Sequence, residues 1–241
     1  MILLTNLPPL NGFQHAPCVA PGTDVIAASK FVLIDHESDD ALIEEGDDTA
    51  IARAGMIISR IRDVTRAKLG WYNWPQVYRT DREHIANAAS QFGPLVAKAD
   101  WFAPSCYSFR DGRTCERAAV YAECLAIVPA RRPVIACVSD GIAVGEGGAC
   151  TPEEIVEQVA AARVVGATGL YVWSGLEYRA SIASMLVEQG HPAELHVQKA
   201  RADLLGIWNF TIRSWDRKSV LAEYRRVSGN ILTAFAKEVR R

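Results

Sequence analysis

Five apolar, strand-like runs alternate with helical patterns along this chain, and that alternation limits the fold more than any other feature. The runs lie at Phe31–Ile34, Gly70–Trp74, Trp101–Phe109, Pro133–Ser139 and Thr168–Ser174; Ile2–Asn6 is a short further strand stopped by Pro8 and Pro9. Strand followed by helix, repeated, returns each strand parallel to the last. The expectation is an α/β fold: a (β/α) TIM-type barrel, incomplete or distorted, with C-terminal helices. An open doubly wound sheet fits the alternation equally. It loses its usual ligand, because the first strand's loop carries no GxGxxG and no GxxxxGK[ST] occurs anywhere. At 241 residues the chain suits one domain over 1–241, with about 190–241 as a helical extension.

Helix signals fill the intervals. Asp39 or Asp40 is a candidate cap for the helical pattern over 50–64, and Asp81 for that over 81–97; a further pattern covers 112–129. Thr151-Pro152-Glu153-Glu154 is the strongest start, with Thr at the N-cap, Pro at N1 and Glu at N3. Residues 176–205 read as helix broken at Gly190-His191-Pro192, and Val220–Val239 as a long amphipathic helix. Pro104 inside its run marks a strand mouth or bulge. The glycines at 141, 145, 147 and 148 make Asp140–Cys150 a loop.

Composition excludes several partners. The net charge is −2 with no basic block, which argues against nucleic acid. No apolar run approaches the ~18 residues of a membrane span, and Met1–Gly12 lacks the basic start of a secretory signal. Synthesis in the cytoplasm is expected, with use in a phage virion or release by lysis, and the reading leaves room for assembly into a larger particle. The six cysteines form no CxxC pair and are expected as reduced thiols. No cofactor and no metal are expected: alternation sends His36 away from Asp35 and Glu37, which breaks up the one acidic cluster with a histidine. Ser105 and Ser139 lack a GxSxG setting.

In a parallel barrel the useful side chains gather at the C-terminal ends of strands. Those ends hold Asp35 and Glu37, then Tyr72, Trp74 and Tyr78, then Tyr107, then Ser139 and Asp140, then Trp173 and Ser174. Asp35 and Glu37 project from one face, about 6–7 Å apart at Cβ for a rise of about 3.3 Å per residue. Like charges so placed favour one protonated and one ionised carboxyl. Acids ringed by Tyr and Trp suit a polysaccharide: aromatic faces pack on pyranose rings, and a protonated carboxyl delivers its proton to the glycosidic oxygen. Two acids on one strand are badly placed to work on opposite faces of an anomeric carbon. They suit a mechanism in which the substrate's N-acetyl group is the nucleophile. Glu37 and Asp35 are thus the candidate catalytic pair, and Tyr72, Trp74, Tyr78, Tyr107, Asp140 and Trp173 the candidate substrate-binding residues.

Several of these stretches resemble the hyaluronidases, a family of retaining, substrate-assisted glycosidases. Ile34-Asp35-His36-Glu37 resembles their I-D-(W/F)-E strand, and Gly70-Trp71-Tyr72-Asn73-Trp74-Pro75-Gln76-Val77-Tyr78 their G-(Y/F)-Y-x-F-P-D-C-Y segment. Phe102 to Tyr107 is similar to L-(Y/F)-P-S-I-Y, and Gly166 to Gly175 to G-A-x-G-(I/V)-V-x-W-G-S; Asn6-Leu7-Pro8 is similar to N-V-P. The resemblance implies Glu37 as acid/base, Asp35 as partner of the acetamide, Tyr78 and Tyr107 as contacts to acetamide and sugar, and Trp173 as a wall. Departures are His36 for an aromatic, Gln76-Val77 for Asp-Cys, and Ser174-Gly175 for Gly-Ser. Only 24 residues separate Leu10 from Asp35, so one βα unit is expected to be missing. A lysozyme-like peptidoglycan hydrolase and a non-catalytic glycan-binding barrel of a phage or bacterial particle are the alternatives.

Overall fold

The computed structural model describes residues 1–9, 12–19, 29–35, 42–43, 45–72, 82–128, 131–141, 148–190, 192 and 217–241. Eight short strands and six helices follow one another among these residues. They are β1 (Ile2–Thr5), β2 (Gln14–His15), β3 (Cys18–Val19), β4 (Phe31–Ile34), α1 (Asp48–Val64), β5 (Lys68–Tyr72), α2 (Arg82–Val96), β6 (Trp101–Ala103), α3 (Thr114–Ile127), β7 (Ile135–Ser139), α4 (Pro152–Val164), β8 (Gly169–Trp173), α5 (Gly175–Glu188) and α6 (Arg217–Val239).

All pairings between these strands are parallel. They form two four-stranded sheets, ordered β2-β1-β8-β7 and β3-β4-β5-β6. The sheets meet at both edges. On one side β2 and β3 are two arms of a single stretch: Ala16 N donates to Thr5 O (2.8 Å) on β1, and Leu33 N donates to Pro17 O (2.9 Å) from β4. On the other, parallel bridges join Phe102 to Val134 and Ser105 to Cys137. Among the described residues seven strand positions thus follow round a ring, against the eight of a full barrel. Among the described residues the strands form two separate sheets, and no closed barrel is seen.

Period-two alternation separates the layers. Leu4, Leu33, Trp101, Ala103, Ile135, Cys137 and Tyr171 pack together inside the ring, where Trp101 stacks on Tyr171 with centroids 6.4 Å apart. The intervening residues face outward: Val32, Ile34, Leu69, Trp71 and Phe102 pack with α1 and α2, and Ala136, Val138, Leu170 and Val172 with α4, α5 and α6. Along α6 the buried residues Val220, Tyr224, Val227, Ile231 and Phe235 recur at helical spacing. Each such burial contributes about 1.5–3 kcal/mol, which holds this helix on the barrel.

Several boundaries differ from expectation for local reasons. β6 ends at Ala103 instead of Phe109, because Pro104 brings no N–H to a ladder; past it, Cys137 N donates to Pro104 O (2.9 Å) and Cys106 N to Cys137 O (2.7 Å). α1 is capped by Asp47, whose carboxylate accepts from Ala50 N at 2.7 Å; Asp39, Asp40 and Asp81 lie outside the described residues. α4 begins as its sequence demands, with Thr151 and Glu154 each accepting from the other's backbone N–H.

Candidate functional site

Asp35 follows directly on β4. Phe31 and Leu33 pack with the inner cluster while Val32 and Ile34 pack outward, so the next odd residue, Asp35, continues the inward row. Its backbone N–H donates to Val19 O at 2.9 Å, and the Cys18 thiol donates to its Oδ2 at 3.7 Å. The register pairs Ile34 with Trp71, so one step further Asp35 stands opposite Tyr72, at the end of β5.

From Tyr72 an aromatic row crosses the same end of the barrel. Its ring lies 6.1 Å from that of Tyr107; Tyr107 stacks on Trp173 at 6.4 Å and 29°, and meets Phe109 edge-on at 6.5 Å. Glycine makes room for the indole: a Cβ at Gly175 would come within 2.8 Å of the Trp173 ring. Tyr107 is buried, and burial first, then Tyr72, to which it is hydrogen-bonded, hold its phenol well above the ordinary tyrosine value. It is therefore a proton-bearing donor at any ordinary pH. Below this row Tyr171 is likewise pushed up, by burial and then by Cys18, Cys137 and Asp35, and its hydroxyl donates to Ala16 O at 3.0 Å.

The structure brings together Asp35, Tyr72, Tyr107 and Trp173. Glu37, Trp74 and Tyr78 lie outside the described residues. Asp140 is separated from the row: it is fully buried, and its Oδ2 accepts from Ser174 Oγ (2.7 Å) and Ser228 Oγ (2.5 Å) and its Oδ1 from Leu176 N (3.3 Å). Those bonds commit the carboxylate to seating the first turn of α5 and the middle of α6, leaving it no open side for a ligand. Phe109 and Cys18 were not among the sequence candidates. Phe109 continues the odd row 101, 103, 105, 107 and was legible by alternation; Cys18 falls in a stretch with no strand or helix pattern in the sequence.

Burial raises the Asp140 carboxyl above its ordinary value, with the serine hydroxyls pulling the other way. Its contribution to stability is therefore greatest below the unfolded value of 3.8 and is lost as pH rises through the folded pKa. Asp140→Asn removes this titration. The stability advantage of the wild type over D140N is expected to shrink as pH is raised from 4 toward 8, by about 1.4 kcal/mol for each unit by which the pKa is raised, and is followed as the difference in thermal midpoint. Taking the difference cancels Asp111 and Glu116, held below their ordinary values by Arg117 and Arg113, whose contribution is lost as pH falls. A difference that grows with pH contradicts the assignment.

Among the described residues no group of three or more His, Cys, Asp or Glu side chains is placed to hold a metal ion, and no helix is long and apolar enough to cross a membrane. No disulfide joins any of the six cysteines, and burial pushes the Cys106 thiol up to about 12.

No protein-family model matches the chain, and no curated protein sequence matches it. Among solved structures the chain is similar to bee venom hyaluronidase, with a TM-score of 0.49 and 12% identity over 70% of each chain. It is similar to bee venom hyaluronidase in complex with a hyaluronic acid tetramer at a TM-score of 0.47 and 12% identity, over 69% of this chain and 68% of that one.

Proposed function

We propose that this chain is a glycoside hydrolase that cleaves an N-acetylhexosamine-containing polysaccharide by a retaining, substrate-assisted mechanism. The observation that carries the reading is the aromatic row Tyr72–Tyr107–Trp173 beside Asp35, all at one end of the barrel. The rings offer apolar faces to a pyranose. In the proposed reaction Glu37 gives its proton to the glycosidic oxygen as the bond to the anomeric carbon breaks. The acetamide oxygen of the same sugar closes on that carbon, with Asp35 taking the N–H and sharing its growing positive charge. Water, deprotonated by Glu37, then opens the ring and regenerates the N-acetyl sugar with its configuration retained. No metal or organic cofactor enters this scheme.

The test is release of reducing ends from hyaluronan, chitin oligomers and peptidoglycan by the intact protein. The products identify the polymer, and release from peptidoglycan alone favours the lysozyme-like alternative. Binding without release from any of the three would leave the glycan-binding barrel and end the catalytic reading. Trp173→Ala is expected to weaken binding of the accepted oligosaccharide about three- to tenfold, the value of one aromatic contact; unchanged affinity would remove Trp173 from the wall.

A further inference from the structure

The loop leaving β6, residues 106–113, carries Tyr107 and Phe109, and its alternate residues are tied to different helices. On the even side the bonds run to α4. Ser108 Oγ donates to Glu157 Oε2 at 2.8 Å, and Arg110 Nε to Glu154 Oε1 at 2.5 Å. Arg110 takes a left-handed φ of +58°, a conformation a non-glycine residue keeps only where its surroundings hold it. On the odd side one guanidinium, Arg117 of α3, meets three successive odd residues. Its Nη1 donates to Asp111 Oδ2 at 2.6 Å, its Nη2 donates to the Tyr107 carbonyl at 3.5 Å, and its Cζ lies over the Phe109 ring at 4.7 Å. Nη2 also meets Thr114 Oγ1 at 3.4 Å, which braces the group against the first turn of its own helix.

We infer that Arg117 is a positioning residue, setting Tyr107 and Phe109 in the aromatic row through simultaneous contacts to residues 107, 109 and 111. Its part in sugar turnover rests on the function proposed above; its part in placing the rings does not. The three contacts lie in different directions from one planar group, a geometry that the point charge of lysine does not reproduce. A mere ion pair would hold Asp111 alone. Arg117 also holds the backbone of Tyr107 and the face of the ring that packs edge-on against Tyr107.

The experiment compares Arg117→Gln, Arg117→Lys and, as a control, Arg113→Gln, whose side chain pairs at the exposed start of α3 with Glu116 and touches neither Tyr107 nor Phe109 among the described contacts. Two readouts need no sugar: the near-ultraviolet circular dichroism of the Tyr107–Trp173 stack, and the rate of tryptic cleavage after Arg110. In R117Q the aromatic signal is expected to fall and cleavage to quicken at least about tenfold, as loss of local order allows. R117K should rescue neither, and R113Q should match the wild type. With whichever of the three polymers the wild type cuts, R117Q should raise KM about tenfold and change kcat less, the mark of misplaced binding groups. An unchanged aromatic signal and cleavage rate in R117Q, or full rescue by R117K, overturns the inference. If the wild type cuts no polymer, the proposed function fails while the two sugar-free readouts still decide the role of Arg117.

Discussion

Glu37→Gln is expected to lower reducing-end release by about 10²–10⁴-fold, the usual contribution of a placed general acid, with KM nearly unchanged. Glutamine keeps the size and the polar contacts of glutamate but has no proton to give the departing oxygen and cannot deprotonate the incoming water. The loss belongs in kcat, since both transfers occur on the way through the transition state. Asp35→Asn should also act on kcat, because a neutral amide no longer balances the charge growing on the acetamide nitrogen. Asp35 lies beside the Cys18 thiol and the Val19 carbonyl and, across the register, opposite Tyr72. Equal release by wild type and E37Q on the accepted polymer, or an effect confined to KM, would take Glu37 out of the acid role.

What was legible in advance was what one element encodes by itself. Phe31, Leu33 and Asp35 could be set on one face because a strand alternates whatever surrounds it, and the cap of α4 because Thr151 and Glu154 satisfy each other within one turn. Contacts made across the chain were not legible. Asp140 is at a strand end, as expected, yet its partner Ser228 is 88 residues away on α6, and only the docking of that helix turns the carboxylate from the mouth into the packing. The second strand position leaves no strand signal in the sequence because it is built from two-residue arms, Gln14–His15 and Cys18–Val19, each pairing with a different neighbour across Ala16-Pro17. Neither arm is long enough to show a period. Arg117 likewise gave no signal, since its role depends on a loop folding back over α3.

Gly70→Ala is expected to destabilise the protein by at least about 3 kcal/mol, lowering the thermal midpoint by roughly 6–12 °C for a chain of this size. Gly70 lies opposite Trp101 in the register of β5 and β6, and the indole fills the space a side chain would take. A Cβ there would fall 2.2 Å from Trp101 Cε2, 2.3 Å from Cζ2 and 2.4 Å from Cδ2, well inside any tolerated contact. The ring has nowhere to retreat: it is buried, its far side stacks with Tyr171, and its Nε1 donates to the Lys68 carbonyl at 3.3 Å. The strain must pass into the backbone of β5, and Tyr72 is two residues further along that strand. G70A should therefore disturb the Tyr72–Tyr107 contact as well as the midpoint, seen as a reduced near-ultraviolet aromatic signal below the melting range. Shrinking the indole separates this clash from a general intolerance of β5. Trp101→Leu alone leaves a cavity, whereas in the double variant the new methyl occupies part of it, so the two changes should couple favourably by more than about 1 kcal/mol. Additive effects, or a G70A midpoint within about 2 °C of wild type, would mean that Trp101 does not sit over Gly70. The inner layer beneath the aromatic row would then be packed differently from the one described.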